Sequence, residues 1–517
     1  MEVVIRLMKD NRTVEEEKTC TVPEQVSLSW LLEQQGSLLQ YVCGGNGTCG
    51  KCKVKVVFGA SEPTASERKY FTEEELRAGY RLACQMKVTQ DCVVEVPRQR
   101  ERMQGLSATV NQIDTVSDRR DTYGVAIDLG TTTLAFALVN LHGGQVVQTY
   151  TMENSQRTYG ADVMTRMQRA NEGALHTLQE CIGRDLQNGI QMLQNQFERQ
   201  MGYRPSMVQV VISGNTTMCH LLQGFSCERL AVAPFVPVTT EKREWEQDGI
   251  KITILPGASA FIGGDIISGL TYLDFSSDDA PKLLLDLGTN GEMVLWNGKE
   301  YLATSAAAGP ALEGGNISCG CASVHGAIYD VLIAGEKSQV KTIGGIAPVG
   351  ICGSGLLSAI SGLLDNHLLD EYGIFSDKVK VSGYSLATTT TGESIRITDE
   401  DIRAFLMAKS AIVTGVCYLL KQLDDREKTL QVYLAGGLGV HLPVNAAVKT
   451  GLLPEQIKSN CRPAGNTSLQ GAIAYLIHPK ETEQRIEFIR NHLTVLPLNE
   501  WEAFEEQFVA HMTLKRV

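Results

Sequence analysis

The spacing Cys43-x5-Cys49-x2-Cys52, with Cys84 following after a further 31 residues, constrains this chain more than any other feature. The first three cysteines lie in CGGNGTCGKC and the fourth in RLACQ. A [2Fe–2S] cluster needs four thiolates on two irons, and a glycine-rich loop lets three of them wrap round it. Gly44, Gly45, Gly47 and Gly50 supply that loop. A structural zinc site also takes four cysteines, but usually as two paired hairpins. Here three ligands crowd one loop and the fourth stands alone, which favours an electron-carrying centre.

The residues around the cysteines read as one small β-rich unit over 1–97. EVVIRLM and CTVPEQ form a hairpin, SLSWLLEQQG a short helix and KCKVKVVFG a returning strand. SERKYFTEEELRAGYRLACQ reads as a helix leading to the fourth ligand, and CVVEVP closes the sheet. This is the β-grasp layout of a ferredoxin-like domain. Residues 98–122 are polar and weakly periodic, a linker with a short strand at SATV.

From Tyr123 the composition changes. Residues 123–204 are expected to form a middle domain with one glycine-turn hairpin and a long helix. Leu175, Leu178, Ile182, Leu186, Ile190, Leu193 and Phe197 recur at steps of three and four, an apolar stripe suited to packing on a sheet. Residues 205–517 alternate strands and helices in α/β fashion. DIRAFLMAKSAIVTGVCYLLKQL is a helix, and 485–517 reads as a mixed helical and polar tail.

A repeat carries the second signal: IDLGTTT at 127–133 and LDLGTNGE at 285–292. Each is a strand ending in aspartate, a Gly-Thr turn and a second strand. Gly130 and Gly288 let backbone N–H groups approach phosphate oxygens, and Thr131, Thr132, Thr133 and Thr289 add hydroxyls, with Asn290 and Gly291 completing the second turn. Asp128 and Asp286 stand where a carboxylate holds Mg²⁺ through water or orients an attacking water. YLAGGLGVHL ends a strand with Gly436, Gly437 and Gly439, a turn that slides under adenosine. No Walker A sequence occurs. Together the two hairpins and the glycine turn resemble the acetate-and-sugar-kinase, heat-shock-protein and actin superfamily, which implies an α/β actin-like ATPase of ribonuclease-H-like subdomains binding ATP and Mg²⁺.

The remaining residues bound the function further. The chain has 517 residues and a net charge of −12, which implies several domains and disfavours nucleic acid as a partner. MEVVIRLMKD has no signal-peptide pattern, and no apolar run is expected to span a membrane. The thiol-rich loop would be endangered by oxidation, so a cytoplasmic setting is expected. Cys319 and Cys321 form a C-x-C pair beside His325; with no third ligand nearby, buried thiols and a core histidine suit them better than a metal. Asp265, in GGDI, could face the same cleft as the hairpins.

The motifs CGGNGTCGKCKV, ERKYFTEEELRAGYRLAC, GVAIDLGTTTLAFALV, YGADVMTRM, VISGNTTMCHLLQG, PGASAFIGGDIISG, LLLDLGTNGEM, AGPALEGGNISCG, GICGSGLLSAI and LAGGLG, in this order, resemble the reductive activators of corrinoid-dependent methyltransferases, the RACE proteins. The resemblance spans roughly residues 1–480. It implies ATP-dependent return of Co(II) corrinoid to Co(I) on a partner corrinoid protein or methyltransferase component, with an upstream low-potential electron donor. The loop ATSAAAGPALEGGNISCG at 303–320, rich in Ala, Ser and Gly, suits covering phosphates or facing a bulky cofactor, which makes Glu313 a candidate water-orienting base and Ser305 a candidate corrinoid contact, with a tight packing loop as the alternative for each. Wider members carry [4Fe–4S] clusters near the C-terminus, whereas Cys461 stands alone there, so the electron is expected to enter at the N-terminal cluster. Actin-like folds often pack as homodimers, and that assembly is open to this chain. The alternative from the same motifs is an iron–sulfur electron-transfer module on a nucleotide-binding or small-molecule kinase-like domain.

Overall fold

The computed structural model describes residues 1–8, 13–22, 26–35, 39, 47, 50, 52–97, 121–335, 337–379, 382–423, 429–439 and 441–517. Cys43, Gly44, Gly45, Cys49 and the expected linker as far as residue 120 lie outside the described residues. The chain divides into two compact units, Met1–Met103 with Asn154–Ile182 and Gln104–Glu153 with Gly183–Val517.

In the first unit, β1 (Glu2–Met8), β2 (Val14–Thr21), β3 (Lys53–Phe58), β4 (Tyr80–Leu82) and β5 (Cys92–Pro97) form one sheet. Its order is β2-β1-β5-β3-β4, with the first and last strands parallel neighbours. Val3, Ile5, Val54, Val56, Val94 and Val96 point inward at the strand period of two, against Leu28, Leu31 and Leu32 of α1 (Leu28–Gln34). The segment expected as one helix before Cys84 is two: α2 (Ala65–Tyr70) and α3 (Glu73–Arg77). Each opens with a capping box, Thr64 with Glu67 and Thr72 with Glu75. The second box demands an extended N-cap, so the chain leaves helical geometry at Phe71 (φ −102°, ψ 148°) before re-entering it.

Glu67 does more than cap. It is buried, and its second oxygen accepts the Leu82 N–H at 2.8 Å, tying α2 to the strand that leads to Cys84. Glu67→Ala leaves three donors without their acceptor, two from Thr64 and one from Leu82. It is expected to destabilise this unit by about 2–4 kcal/mol, read as a lower denaturation midpoint. The same segment order continues with α4 (Val163–Arg169), a π turn containing Gly173 at φ +104°, and α5 (Leu175–Met201).

The second unit holds two sheets of one design. Strands β6 (Thr122–Leu129), β7 (Thr133–Asn140), β8 (Val146–Glu153), β9 (Ser206–Gly214), β10 (Arg243–Gln247) and β11 (Ile250–Ile254) run in the order β8-β7-β6-β9-β11-β10. Strands β12 (Lys282–Leu287), β13 (Gly291–Trp296), β14 (Tyr301–Ala306), β15 (Gln431–Ala435), β16 (Cys461–Gly465) and β17 (Leu493–Val495) run β16-β15-β12-β13-β14-β17. Each begins as a three-stranded antiparallel meander and extends through two parallel strands. This duplication is the pair of ribonuclease-H-like subdomains of an actin-like fold. A break at 204/205 would cut through the first sheet, because Ser206–Gly214 lies parallel to Thr122–Leu129. Sheet membership changes later, between Ile254 and Lys282.

The apolar stripe on α5 packs on the sheet: the Phe136 ring of β7 lies where a Cβ on Gly189 would stand, and Tyr123 meets Phe197 edge-on at 5.1 Å. Further helices are α6 (Thr216–Gln223), α7 (Gly264–Leu273), α8 (Gly353–Asp365), α9 (Asp399–Leu420), α10 (Thr467–Ile477), α11 (Pro479–Asn491) and α12 (Phe504–Ala510). Contrary to the expectation of no such run, α9 is long and apolar enough to cross a membrane, yet 72% of that window is buried inside the protein. It is a core helix, packed on the second sheet where Met293 meets Gly415. The C-terminal region, which has no visible role in the sequence, packs along α9, where Leu498 meets the same Gly415 as Met293. β17 pairs with β14, the Phe508 carbonyl accepts from Ser410, and His511 meets the Thr414 hydroxyl at 2.8 Å.

Candidate functional site

Alternation along β12 sorts its residues between two cores: Leu283, Leu285 and Leu287 join one, and Leu284 the other. Asp286 shares the parity of Leu284, and Asp128 that of Ala126, which lies in the same core as Leu284. Both aspartates therefore sit on the faces that the two sheets turn toward that shared core. The glycines keep the turns tight. A Cβ on Gly130 would fall 2.4 Å from the Thr133 carbonyl, and the Gly288 N–H donates to the Asn290 carbonyl at 3.0 Å.

Between the hairpins, Thr132 Oγ1 and Thr289 Oγ1 stand 3.5 Å apart, and both donate to one oxygen of Glu313, at 3.0 and 2.5 Å. Thr131 Oγ1 accepts from the Asn215 amide at 3.0 Å, while Thr133 begins β7 exposed. Gly436, at φ +81°, leaves room for Asp286, whose Oδ1 would lie 2.5 Å from a Cβ there. A Cβ on Gly437 would meet open space, whereas Gly439 packs on the backbone of Leu434. Gly291 makes room for Ile412 of α9 at 3.0 Å, a packing role in this structure. Ser305 pairs across the sheet with Glu292, which pairs with Asp286, so all three share one row.

Several participants are not legible as such in the sequence. Asn466 Nδ2 and Ser468 Oγ each donate to Asp128 at 2.7 Å, and Ser468 lies 3.0 Å from the Ser213 hydroxyl. Asn466 also N-caps α10 through the Leu469 N–H. The only sequence signal was an N-cap residue after a strand, and nothing in it points 338 residues back to Asp128. The first sheet's hairpin is thus held by a helix of the second. In return α7, which follows the first sheet, brings Asp265 near Asp286. The two helices meet closely, since a Cβ on Gly471 would fall 2.0 Å from the Ser268 carbonyl and Ser268 Oγ donates to the Ser468 carbonyl at 2.8 Å.

The electrostatics are uneven. Burial raises the Asp128 carboxyl, against the pull of Ser468 and Asn466. Burial and then the Asp128 charge push Asp265 up to about 7. Burial, followed by the charges of Asp265, Asp128 and Glu313, pushes Asp286 up to about 8. Glu292 is raised well above the usual range by burial and by Asp265 and Asp286. Such a set calls for positive charge. Among the described residues no three carboxylate, histidine or cysteine groups converge on one point, so a divalent ion here would complete its shell with phosphate oxygens and water.

In the first unit, the Cys52 and Cys84 sulfurs stand 3.3 Å apart. That exceeds a disulfide and approaches the ~3.8 Å separation of two thiolates on one tetrahedral metal with ~2.3 Å bonds. Gly50 has φ +66°, and a Cβ there would lie 1.8 Å from the Tyr70 ring. No other residue fits that position, two residues before Cys52. Cys52 and Cys84 therefore fit two ligands of a [2Fe–2S] cluster, while Cys43 and Cys49 lie outside the described residues.

The fold and these two centres define an iron–sulfur domain joined to an actin-like ATPase. Residues 11–89 match the 2Fe-2S iron-sulfur cluster binding domain, 123–278 the RACo middle region, and 280–517 the C-terminal domain of RACo, the ASKHA domain. The chain belongs to the RACo family. It is 30% identical over 389 residues to the corrinoid activation enzyme RamQ of Eubacterium limosum, covering 69% of this chain and 65% of that one. It is 25% identical over 408 residues to the [Co(II) methylated amine-specific corrinoid protein] reductase of Methanosarcina barkeri, covering 71% and 72%. The alignment to the first relative thus spans just under two thirds of that protein's length. The solved structure of a reductive activator for corrinoid, iron-sulfur protein superposes with a TM-score of 0.69 at 26% identity, covering 99% of this chain and 98% of that one.

Proposed function

We infer that this chain is an ATP-dependent reductive activator that returns Co(II) corrinoid on a partner corrinoid protein or methyltransferase component to Co(I). The observation that carries this is the union, in one chain, of a paired-sulfur loop with the double-hairpin ATPase site, in the company of relatives named for corrinoid activation. Cys43, Cys49, Cys52 and Cys84 would hold the [2Fe–2S] cluster. Bound there, the cluster supplies a one-electron carrier whose potential in plant-type ferredoxins is near −400 mV. If the cobalt couple lies roughly 100 mV lower, each transfer is uphill by about 2.3 kcal/mol, a deficit that nucleotide turnover has to offset.

The chain's own groups divide that work. Gly130, Gly288, Thr131, Thr132, Thr133 and Thr289 offer backbone and hydroxyl donors to the phosphates. Asp128, fixed by Asn466 and Ser468, and Asp286 orient water and Mg²⁺. The crowded carboxyls of Asp286, Asp265 and Glu292, each raised by burial and by its neighbours, would release their protons to a divalent ion and favour it on the Asp286 side. Gly437 leaves the adenosine side open, and Gly436 seats Asp286 beside it. A reducing compartment such as the cytoplasm suits the thiol-rich loop, and an upstream low-potential donor refills the cluster.

The test is anaerobic mixing of the reduced protein with a Co(II) corrinoid protein, with and without ATP. The cob(I) absorption band is expected to rise with ATP present. Equal rates without nucleotide would overturn the coupling, and no band under either condition would overturn the function.

A further inference from the structure

A hydroxyl carries one proton, so it donates one hydrogen bond at a time. In this structure both threonines at the tips of the phosphate hairpins spend that proton on the same carboxylate oxygen of Glu313. Their oxygens are 3.5 Å apart. A phosphate oxygen bridging them with bonds of about 2.7 Å would need both protons and would stand where the Glu313 oxygen stands, beside the charge of that carboxylate. Glu313 and a phosphate group bound between these hairpins therefore exclude one another.

We propose that Glu313 is a bolt, a built-in stand-in for the nucleotide phosphate that joins the hairpins and is displaced when nucleotide binds, shifting residues 310–321. This rests on the reading of the hairpins as the nucleotide site and adds the device that links nucleotide to the rest of the domain. Glu313 ends a single 3-10 turn, Pro310–Glu313, bounded by Gly309 at φ +73° and Gly314 at φ +80°. Beyond that turn the chain has little slack. A Cβ on Gly314 would fall 2.3 Å from the Cys321 carbonyl, and one on Gly353 only 1.8 Å from that of Leu312. The Ser318 N–H donates to Asp401 at 2.7 Å, and Asp401 caps the start of α9 with Thr398. The Cys321 N–H donates to the Ile351 carbonyl and the Ile351 N–H to that of Cys319, both at 2.9 Å. In a segment so tightly keyed, a backbone shift that withdraws Glu313 also moves the contacts at α9 and at Gly350–Ile351. A carboxylate serving only as a water-orienting base would predict none of this coupling.

The experiment compares the full-length protein with Glu313→Ala and with the isosteric Glu313→Gln. ADP and a non-hydrolysable ATP analogue are titrated calorimetrically, and amide hydrogen exchange is followed across 310–321. Glu313→Ala is expected to bind nucleotide about tenfold more tightly, and Glu313→Gln more tightly by a smaller factor. Exchange in 310–321 is expected to rise in the wild type when nucleotide is added, and to be high in Glu313→Ala before any is added. Unchanged or weaker nucleotide binding in both variants overturns the bolt and leaves the nucleotide site standing. Failure of the wild type and both variants to bind nucleotide overturns the bolt together with the site reading.

Discussion

Alanine in place of Cys52 is expected to give a colourless protein. The wild type, reconstituted without oxygen, should absorb in the visible range and bleach with dithionite. The Cys52 sulfur is buried 3.3 Å from that of Cys84, so its removal takes one of the two thiolates that converge there. With three ligands left, a two-iron centre has no complete set. Cys52 also belongs to the small core with Val54 and Leu82, and losing one sulfur there costs about 1–2 kcal/mol. The loss of colour is therefore the dominant effect. Nucleotide titration of the same variant should match the wild type. A variant that keeps its full visible spectrum would remove Cys52 from the ligand set.

Asparagine in place of Asp286 should lower ATP turnover by roughly a hundredfold or more, with the colour retained. The same change should alter the pH dependence of stability, with a definite sign. The Asp286 carboxyl is held at about 8 in the folded protein against an ordinary 3.8. The folded state then binds the proton that the unfolded state has already released, so stability falls as pH rises from about 4 to about 8. Asp265, pushed up to about 7, contributes with the same sign. Without divalent ions, thermal unfolding of the wild type should lose a few kcal/mol across this window, on the scale of ~1.4 kcal/mol for each tenfold change in proton affinity. Asp286→Asn should flatten much of that slope, and Mg²⁺ with nucleotide should flatten it in the wild type. A wild-type curve without slope between pH 5 and 8 would show that these carboxylates are not strained by their neighbours.

How far the site could be read in advance depended on how local each part is. Both D-x-G-T turns were visible because a hairpin is built from consecutive residues, and Gly130 is required by a carbonyl three positions away. The division of α2 from α3 was also written locally, as two T-x-x-E boxes eight residues apart, although one helix was expected there. Asn466 and Ser468 were not visible, because their partner Asp128 lies in the other sheet. Gly291 could not be assigned to packing from its motif, since only α9 supplies the neighbour that needs the space. The place of β9 in the first sheet was hidden for the same reason: a parallel strand finds its partner through a long crossover, here the length of α5.

The chain's own order of residues determined the cysteine spacing, the two aspartate turns and the alternation that buries each strand. All three follow from contacts a few residues long and from the periods of helix and strand. Only the tertiary structure decided which groups meet: Thr132 with Thr289 and Glu313, Asp128 with the head of α10, and Asp265 with Asp286. Those pairings join segments brought together by sheet closure and by the glycine contacts between α7 and α10, where no local preference records the partner.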